Sequence, residues 1–440
     1  MSDSKENAAD GAARREGGVP TSSRPQAAPQ NVFDVKKLQE ERNPRDLKML
    51  LLDLLNGRRR HRQSDFFKIP GPMPRSISRG NLPKLRDGDY WVAEKSDGDR
   101  FVMFYSESRR RTYLLGRKFE FLIVPGDFYN RMFQGEGDTM LDGELVRETN
   151  NGVERTTYLV FDAVILKGKK VSDCKLVDRL KCVGNAAHMF RTARDQHTAP
   201  FAMQSKTFKP KRKVGEILSG ITRDSGSHSG HPVFWFEENR STGKRRNMND
   251  GLIFTPSEGG YMQRKLPILK WKSSDLQTID VSVRLEDLER KSDKLKIYCN
   301  GRHPHRENDT AEIYLRDIPM PKNSQLIREM QGVAREAGRR GGGGWGRHGG
   351  GRGGRGGRGG RNGGRGGGGS ASCIVEIGYD KTEGKWVVYR TRPDKGKANF
   401  ITTCMSTFDA LIDNLSAETI VEVCRGQNSD RRGEKRRLGT

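Results

Sequence analysis

The chain has 440 residues, 33% of them hydrophobic, and a formal net charge of +25. At roughly 150 residues per domain, and with low-complexity stretches subtracted, that length predicts two folded domains. The charge points to a polyanion, because clustered Lys and Arg gain affinity by releasing counterions from phosphates; with no apolar stretch near the roughly 20 residues that span a bilayer, nucleic acid is expected and membrane is not.

In chain order, residues 1–31 mix Ala, Gly, Ser, Pro and charge without apolar periodicity, which predicts a disordered tail. The opening MSDSKENAADGAARREGG lacks the apolar core of a secretory signal, so an intracellular chain is expected. From Phe33 to Leu55 the apolar spacing turns helical at its end, and Gly57 followed by RRRHR supplies a stop. That basic run reads either as an RNA contact or nuclear import signal, or as a solvated helix end.

Between Tyr90 and about Asp280 the texture changes to short β-rich runs, YWVAEK, RFVMFY, TYLLG, FLIV, TYLVFDAVIL, GLIFTP and PILKWK, divided by Gly, Asp and charge. Such runs predict an α+β domain of mainly antiparallel sheets with helices, assigned to residues 32–280. The pieces VSVRLEDL, LKIYCNG and AEIYLRDI, then a helical stretch near Gln325 to Glu336, begin a smaller β domain assigned to 281–425. Within it, 338–370 is nearly all Gly and Arg; glycine this dense packs no core, so a flexible cationic insertion is expected. Arginines spaced by glycine suit RNA binding without sequence preference, and a passive solubilising linker is the alternative. CIVEIGYD, KWVVYRTR and a helical FDALIDNL resume the domain, and 426–440 is a basic tail.

The six cysteines form no CxxC pair and read as reduced and structural. The pairs His228 with His231 and His303 with His305 lack partner ligands nearby in sequence, which argues against zinc.

The chemical signature is Lys95-Ser96-Asp97-Gly98-Asp99-Arg100, between two strand-like runs. Alone, Lys-x-Asp-Gly-x-Arg is a weak pattern in a chain this rich in Gly and Arg. Its weight comes from order. Gly116-Arg117-Lys118 follows, then Leu141-Asp142-Gly143-Glu144, Tyr158-Leu159-Val160-Phe161-Asp162, Asp250-Gly251-Leu252-Ile253-Phe254-Thr255-Pro256, Leu269-Lys270-Trp271-Lys272 and Arg390-Thr391-Arg392-Pro393-Asp394-Lys395.

With these segments, among which all six motifs of the superfamily appear in order, the chain closely resembles, from about Tyr90 to Asn414 less the Gly/Arg tract, the mRNA capping guanylyltransferases, relatives of ATP-dependent DNA ligases and RNA ligases. The resemblance implies a nucleotidyltransferase domain followed by a β-barrel OB-fold domain. It implies GTP as substrate, Mg2+ or Mn2+ as cofactor, and transfer of GMP through lysyl-GMP at Lys95 to the 5′-diphosphate end of RNA. DGLIFTP and the paired lysines favour capping over ligation. A ligase, or a non-catalytic RNA-binding protein on a decayed scaffold, stands as the alternative; intact Lys95, Glu144, Lys270, Lys272 and Lys395 argue against decay.

A nucleophilic lysine must be neutral, yet an ordinary lysine titrates near about 10.4. Neighbouring cations are expected to depress Lys95, with Arg100, Lys270, Lys272 and a metal as candidates. The resemblance implies Arg100 and Arg117 on the ribose and phosphates, Phe161 and Ile253 sandwiching the base, and Lys206 donating to the guanine carbonyl. A plain surface lysine is the alternative for Lys206. Glu144 and Asp250 are implied near the metal, by position from the resemblance and by the preference of Mg2+ for hard oxygen ligands. Asp280 is implied to complete the active site near the triphosphate, and Arg392, Asp394 and Lys395 to close over the β and γ phosphates from the mobile domain, with Arg390 open to reading as a plain strand charge.

Two departures stand out: Gly116 takes a position where the family carries an acid, and the Gly/Arg tract is not part of the common pattern. With no Cys-x5-Arg phosphatase signature in the N-terminal region, a separate RNA 5′-triphosphatase is expected as partner. The phosphorylated tail of RNA polymerase II is a second candidate partner, and a nuclear location is expected.

Overall fold

A computed structural model describes residues 33–56, 71–150, 153–224, 233–240, 243–262, 265–303, 309–341 and 371–426. The expected N-terminal tail, the RRRHR run, the His228/His231 pair, His305, nearly all of the Gly/Arg tract and the basic tail past Gly426 lie outside the described residues. Residues from Phe33 onward belong to one unit.

Period-two alternation explains the first sheet. In strand Asp99–Ser106, Phe101, Met103 and Tyr105 enter one core while Val102 and Phe104 enter another, because successive side chains point to opposite faces. The first core is completed by Val183, Ala186 and Phe190 of helix Leu176–Thr192. The second is closed by Leu47, Leu51 and Leu55, spaced four apart on one face of helix Arg45–Asn56. Each fully buried Leu or Phe contributes about 1.5–3 kcal/mol relative to exposure, so a sheet covered on both faces is favoured.

Among the described residues this sheet has 14 strands. Its spine runs Leu269–Trp271, Gly243–Pro256, Thr139–Asn150, Asp99–Ser106, Arg111–Leu115 and Phe121–Ile123, each antiparallel to the next. Strand Tyr90–Ser96 also pairs with Gly243–Pro256, and Val153–Leu166 with Thr139–Asn150. Two pairings are parallel, Arg75–Ser76 with Leu269–Trp271 and Val153–Leu166 with Ala202–Ser205. The architecture is mixed α+β with large sheets, as the alternating runs predict.

Among the described residues the second sheet has five antiparallel strands in the order Thr310–Pro319, Lys294–Arg302, Thr278–Arg284, Ser372–Asp380, Lys385–Thr391. Its core joins Val281, Ile297, Val375 and Ile377 with Met330 and Ala334 of helix Ser324–Gly341. That helix runs past the expected end near Glu336 into the first residues of the Gly/Arg tract, beyond its last core residue, Ala334. A Cβ on Gly338 would lie 2.9 Å from that of Ala371, so the segments flanking the tract meet.

The C-terminal helix Ala417–Arg425 differs from the expected boundary, which assigned everything to residue 425 to the second domain. Ile420 and Cys424, four apart on one face, pack with Leu85, Tyr90, Val92 and Leu269 of the first domain. Trp271 Nε1 donates to the Leu415 carbonyl at 2.8 Å, and the Arg79 backbone amide donates to Asp413 at 2.8 Å, fixing the helix's approach.

Candidate active site

Lys95 sits one residue from the end of strand Tyr90–Ser96 and pairs with Asp250 on the neighbouring strand Gly243–Pro256. The register between these strands slips between Asn249 and Leu252, so Asp250 occupies a bulge. Gly251 makes the bulge possible: its φ is +116°, and a Cβ there would collide with the Trp271 carbonyl. Asn249 accepts from the Gly251 amide at 2.8 Å, pinning the turn. Lys272 reaches the other Asp250 oxygen at 2.7 Å, so one carboxylate bridges two ammonium groups.

The electrostatics differ from the sequence expectation. Burial disfavours the Lys95 ammonium, but Asp250, then Glu144 and Asp97, outweigh it and hold Lys95 above the ordinary lysine value. Two of the cations expected to depress it are neutralised by carboxylates. Arg100 forms a two-pronged pair with Asp142 at 3.0 and 2.6 Å, and Lys272 is spent on Asp250. Within this cluster Lys270 is the lysine pushed down, by burial and then by Lys272 and Lys95. Asp250 is lowered because the two lysines overcome its own burial. A carboxylate bridging two of three clustered lysines creates a positively charged floor that suits phosphate oxygens.

Arg100 is fixed from several sides. Besides Asp142, its guanidinium donates to the Pro72 carbonyl at 3.0 Å, and Tyr261 donates to Asp142 at 2.7 Å. The guanidinium lies over the Phe161 ring, 5.7 Å from its centre. Phe161 is the extra residue where the register shifts, Val160 pairing with Gly143 and Asp162 with Asp142, and it is half-buried. Ile253, also half-buried, pairs with Ala93 and Lys270, on the strand beside Lys95.

Lys206 is buried, with Nζ 2.8 Å from Ser96 Oγ, 3.5 Å from Glu94 and 3.7 Å from Glu144. Its backbone amide donates to the carbonyl of Val160, next to Phe161. It is therefore not a plain surface lysine. Burial raises the Glu144 carboxyl against the opposing pull of Lys206 and Lys95.

Asp280, Arg392, Asp394 and Lys395 gather in the second domain. Arg392 pairs with Asp280 and Asp394, both at 2.9 Å, and a turn bond from the Lys395 amide to the Arg392 carbonyl brings Lys395 alongside, exposed. Arg392 pulls Asp394 down to about 2, while burial raises Asp280 in spite of Arg392. Arg390 of the second sheet pairs with Glu376 at 2.7 Å and opposes the burial-driven rise of Asp97, which ties its charge to the first domain's site. A cavity of about 120 Å³ lies between Lys270 and Lys272 on one side and Thr403 and Thr407 on the other.

Arg117 is exposed in the turn after strand Arg111–Leu115, apart from the contacts above. The space that a side chain at Gly116 would take is filled by the Glu120 carboxylate. Sequence reading gave no role to Asp142, Tyr261, Glu94, Ser96 or Asn249. Asp142, Glu94 and Ser96 belong to the strand-like runs and motifs around Lys95 and Glu144; nothing local marks Tyr261 or Asn249, whose partners are distant in sequence.

For a divalent cation, the donor set is Asp250 and Glu144. No group of three acidic, His or Cys ligands converges among the described residues. Two separated carboxylates suit Mg2+ or Mn2+ shared with phosphates and water, the usual way such ions are bound, and do not suit an all-protein cage.

The model of the mRNA capping enzyme catalytic domain matches residues 30–274, and that of the mRNA capping enzyme C-terminal domain matches 368–421. The chain is 32% identical over 230 residues to the mRNA-capping enzyme subunit alpha of Schizosaccharomyces pombe, covering 50% of this chain and 54% of that protein. It is 28% identical over 260 residues to that of Saccharomyces cerevisiae, covering 55% and 52%. To that of Neurospora crassa it is 26% identical over 371 residues, covering 80% and 83%. The match thus spans about half the length of the first two relatives. A mycobacterial DNA ligase D complexed with ATP and MES aligns with 74% of this chain and 95% of its own at 13% identity and a TM-score of 0.34.

Proposed function

We propose, from the premise that the chain belongs to the mRNA capping enzyme family, that it is a guanylyltransferase moving GMP from GTP through Lys95 to the 5′-diphosphate end of RNA. The observation that carries this reading is the convergence of Lys95, Lys270 and Lys272 around Asp250 on adjoining strands.

In the first step the Lys95 amine attacks the α-phosphorus of GTP, a P–N bond forms, and the bond to the β-phosphate oxygen breaks to release pyrophosphate. In the second, a terminal β-phosphate oxygen of the RNA attacks the same phosphorus and the P–N bond breaks, returning the amine. An ammonium has no lone pair, so Lys95 must first give up a proton; the Asp250 carboxylate it lies against is the base in contact with it, and the proton returns to the amine when the P–N bond breaks. Lys270 and Lys272 offset the negative charge on the phosphates. Phe161 and Ile253 stack the base, Lys206 donates to its carbonyl, and Arg100, held by Asp142, reaches the ribose and phosphates. Mg2+ or Mn2+, held by Glu144 and Asp250, supplies positive charge to the phosphates when bound.

We read residues 32–277 as the nucleotidyltransferase domain, the expected boundary at 280 moving back because strand Thr278–Arg284 pairs in the second sheet, and the five-stranded antiparallel sheet as an OB-fold domain carrying the Gly/Arg tract as an insertion. Arg392, Asp394 and Lys395 close from it over the β- and γ-phosphates, with Asp280, and exclude water. A nuclear location, a separate RNA 5′-triphosphatase and the phosphorylated polymerase II tail complete the reading.

The test is incubation with α-labelled GTP or ATP and magnesium, followed by denaturing electrophoresis. Covalent label from GTP, absent in Lys95→Ala, is expected. Label from ATP alone would make the chain a ligase-type enzyme, and label retained in Lys95→Ala would mean another nucleophile.

A further inference from the structure

Directly before the nucleophile, Glu94 points away from it and is 1% exposed. It accepts from the Ser96 hydroxyl at 2.7 Å and from Asn249 at 3.3 Å, and Arg245 lies 3.4 Å away. Ser96 is fully buried, so its hydroxyl has no access to a ligand. Having given its only proton to Glu94, Ser96 Oγ can act toward Lys206 only as an acceptor, at 2.8 Å. The chain runs from the Lys206 ammonium, which can only donate, through Ser96 to the Glu94 carboxylate, which also lies 3.5 Å from Lys206 Nζ. Lys206 is left with N–H donors beyond the one spent on Ser96, beside Glu144, which is 16% exposed in its side chain.

We propose that Glu94 is a specificity-positioning residue: through Ser96 it holds Lys206 as a fixed hydrogen-bond donor to the 6-carbonyl of guanine. The inference rests on the reading above, in which Lys206 faces the base. Two observations locate it there. Lys206 is bonded through its backbone to Val160, the neighbour of the stacking Phe161, and its Nζ lies between a fully buried hydroxyl and the half-buried Glu144.

The discrimination follows from polarity. Guanine presents an acceptor oxygen at position 6; adenine presents an amino group, which would meet the Lys206 donor with donors of its own. A site built around a buried polar group rejects a ligand that leaves it unpaired far more strongly than apolar contact can. Stacking by Phe161 and Ile253 is indifferent to the choice. Changing Glu94 to Gln keeps the shape but places an amide opposite Ser96. The carboxylate charge that anchors the Ser96 hydroxyl and draws on the Lys206 ammonium is then gone, and Lys206 is held less firmly.

The experiment measures kcat/KM for lysyl-nucleotide formation with GTP, ITP and 2-aminopurine riboside triphosphate. ITP keeps the 6-carbonyl and lacks the 2-amino group, whereas the 2-aminopurine nucleotide keeps the amino group and lacks the oxygen. Glu94→Gln is expected to lower the preference for GTP over the 2-aminopurine nucleotide by about 10-fold to 100-fold, mostly through KM, and to leave the ratio of GTP to ITP unchanged. Glu94→Asp is expected to retain part of the preference. Ser96→Ala, which deletes the bridging hydroxyl, is expected to act in the same direction and serves where Glu94→Gln fails to fold. A general disturbance of Lys95 slows all three nucleotides equally, and equal slowing in both variants overturns the proposal. A wild-type protein that takes no label from GTP fails the reading of the function, a result distinct from that one.

Discussion

The Lys95 ammonium lies against the Asp250 carboxylate, 155 positions away in sequence, so the nucleophile of the proposed reaction is held protonated by its own partner strand. Lys272 occupies the other oxygen of that carboxylate at 2.7 Å and shares its charge. Lys272→Ala leaves Asp250 to Lys95 alone and removes a cation from the phosphates. Lysyl-GMP formation, followed by rapid quench with labelled GTP, is expected to slow about 100-fold or more. An unchanged rate would remove Lys272 from the chemistry.

Arg392 is engaged by Asp280 and Asp394 together, at 2.9 Å each, a forked geometry that a lysine does not reproduce. If it orients the leaving pyrophosphate, Arg392→Lys slows formation of lysyl-GMP by about 10-fold to 100-fold. Transfer from preformed lysyl-GMP to diphosphate-ended RNA, which releases no pyrophosphate, stays near the wild-type rate. Equal loss in both half-reactions, read in single turnovers, would count against that role.

Acid stability reports on Glu94. Burial pushes its carboxyl up, but Lys206 and Arg245 more than offset this and hold it below its ordinary 4.5. A carboxyl lowered on folding adds stability above its unfolded value, and that contribution is lost as pH falls through the folded value. The stability difference between wild type and Glu94→Gln is therefore expected to shrink on acidification below pH 4.5. Urea unfolding at several pH values measures it, and a constant difference would contradict the burial-and-pairing account.

Ile420 is fully buried in the first domain's core, although its helix follows the second sheet in sequence. Ile420→Ala is expected to cost about 2–5 kcal/mol in chemical denaturation, the range for a buried aliphatic truncated to a methyl. Met405 on helix Ile401–Asp413 is about half exposed, and Met405→Ala is expected to change stability by about 0.5 kcal/mol or less. Equal losses would mean that the C-terminal helix is not part of the core.

Local pattern made most of the architecture legible. Alternating apolar residues in RFVMFY and TYLVFDAVIL announced strands, and the ordered motifs around Lys95, Glu144, Asp250 and Lys270 to Lys272 marked the site, because each motif is a short run whose chemistry is carried by adjacent residues. The expected depression of Lys95 did not follow. Composition counts nearby cations, whereas a titration depends on which of them are already paired, and Asp142 and Asp250 had taken Arg100 and Lys272.

What the sequence by itself determined is the set of reactive groups, their order and the strands that carry them, since spacing and side-chain chemistry are local properties. Tertiary structure alone decided the charge states and the partners. Tyr261 reaches Asp142 across 119 positions, Lys206 reaches Ser96 across 110, and Trp271 reaches Leu415 across 144. Contacts of that span exist only after strands from distant segments pair, and the energies that set a buried charge depend on those contacts rather than on neighbours in the chain.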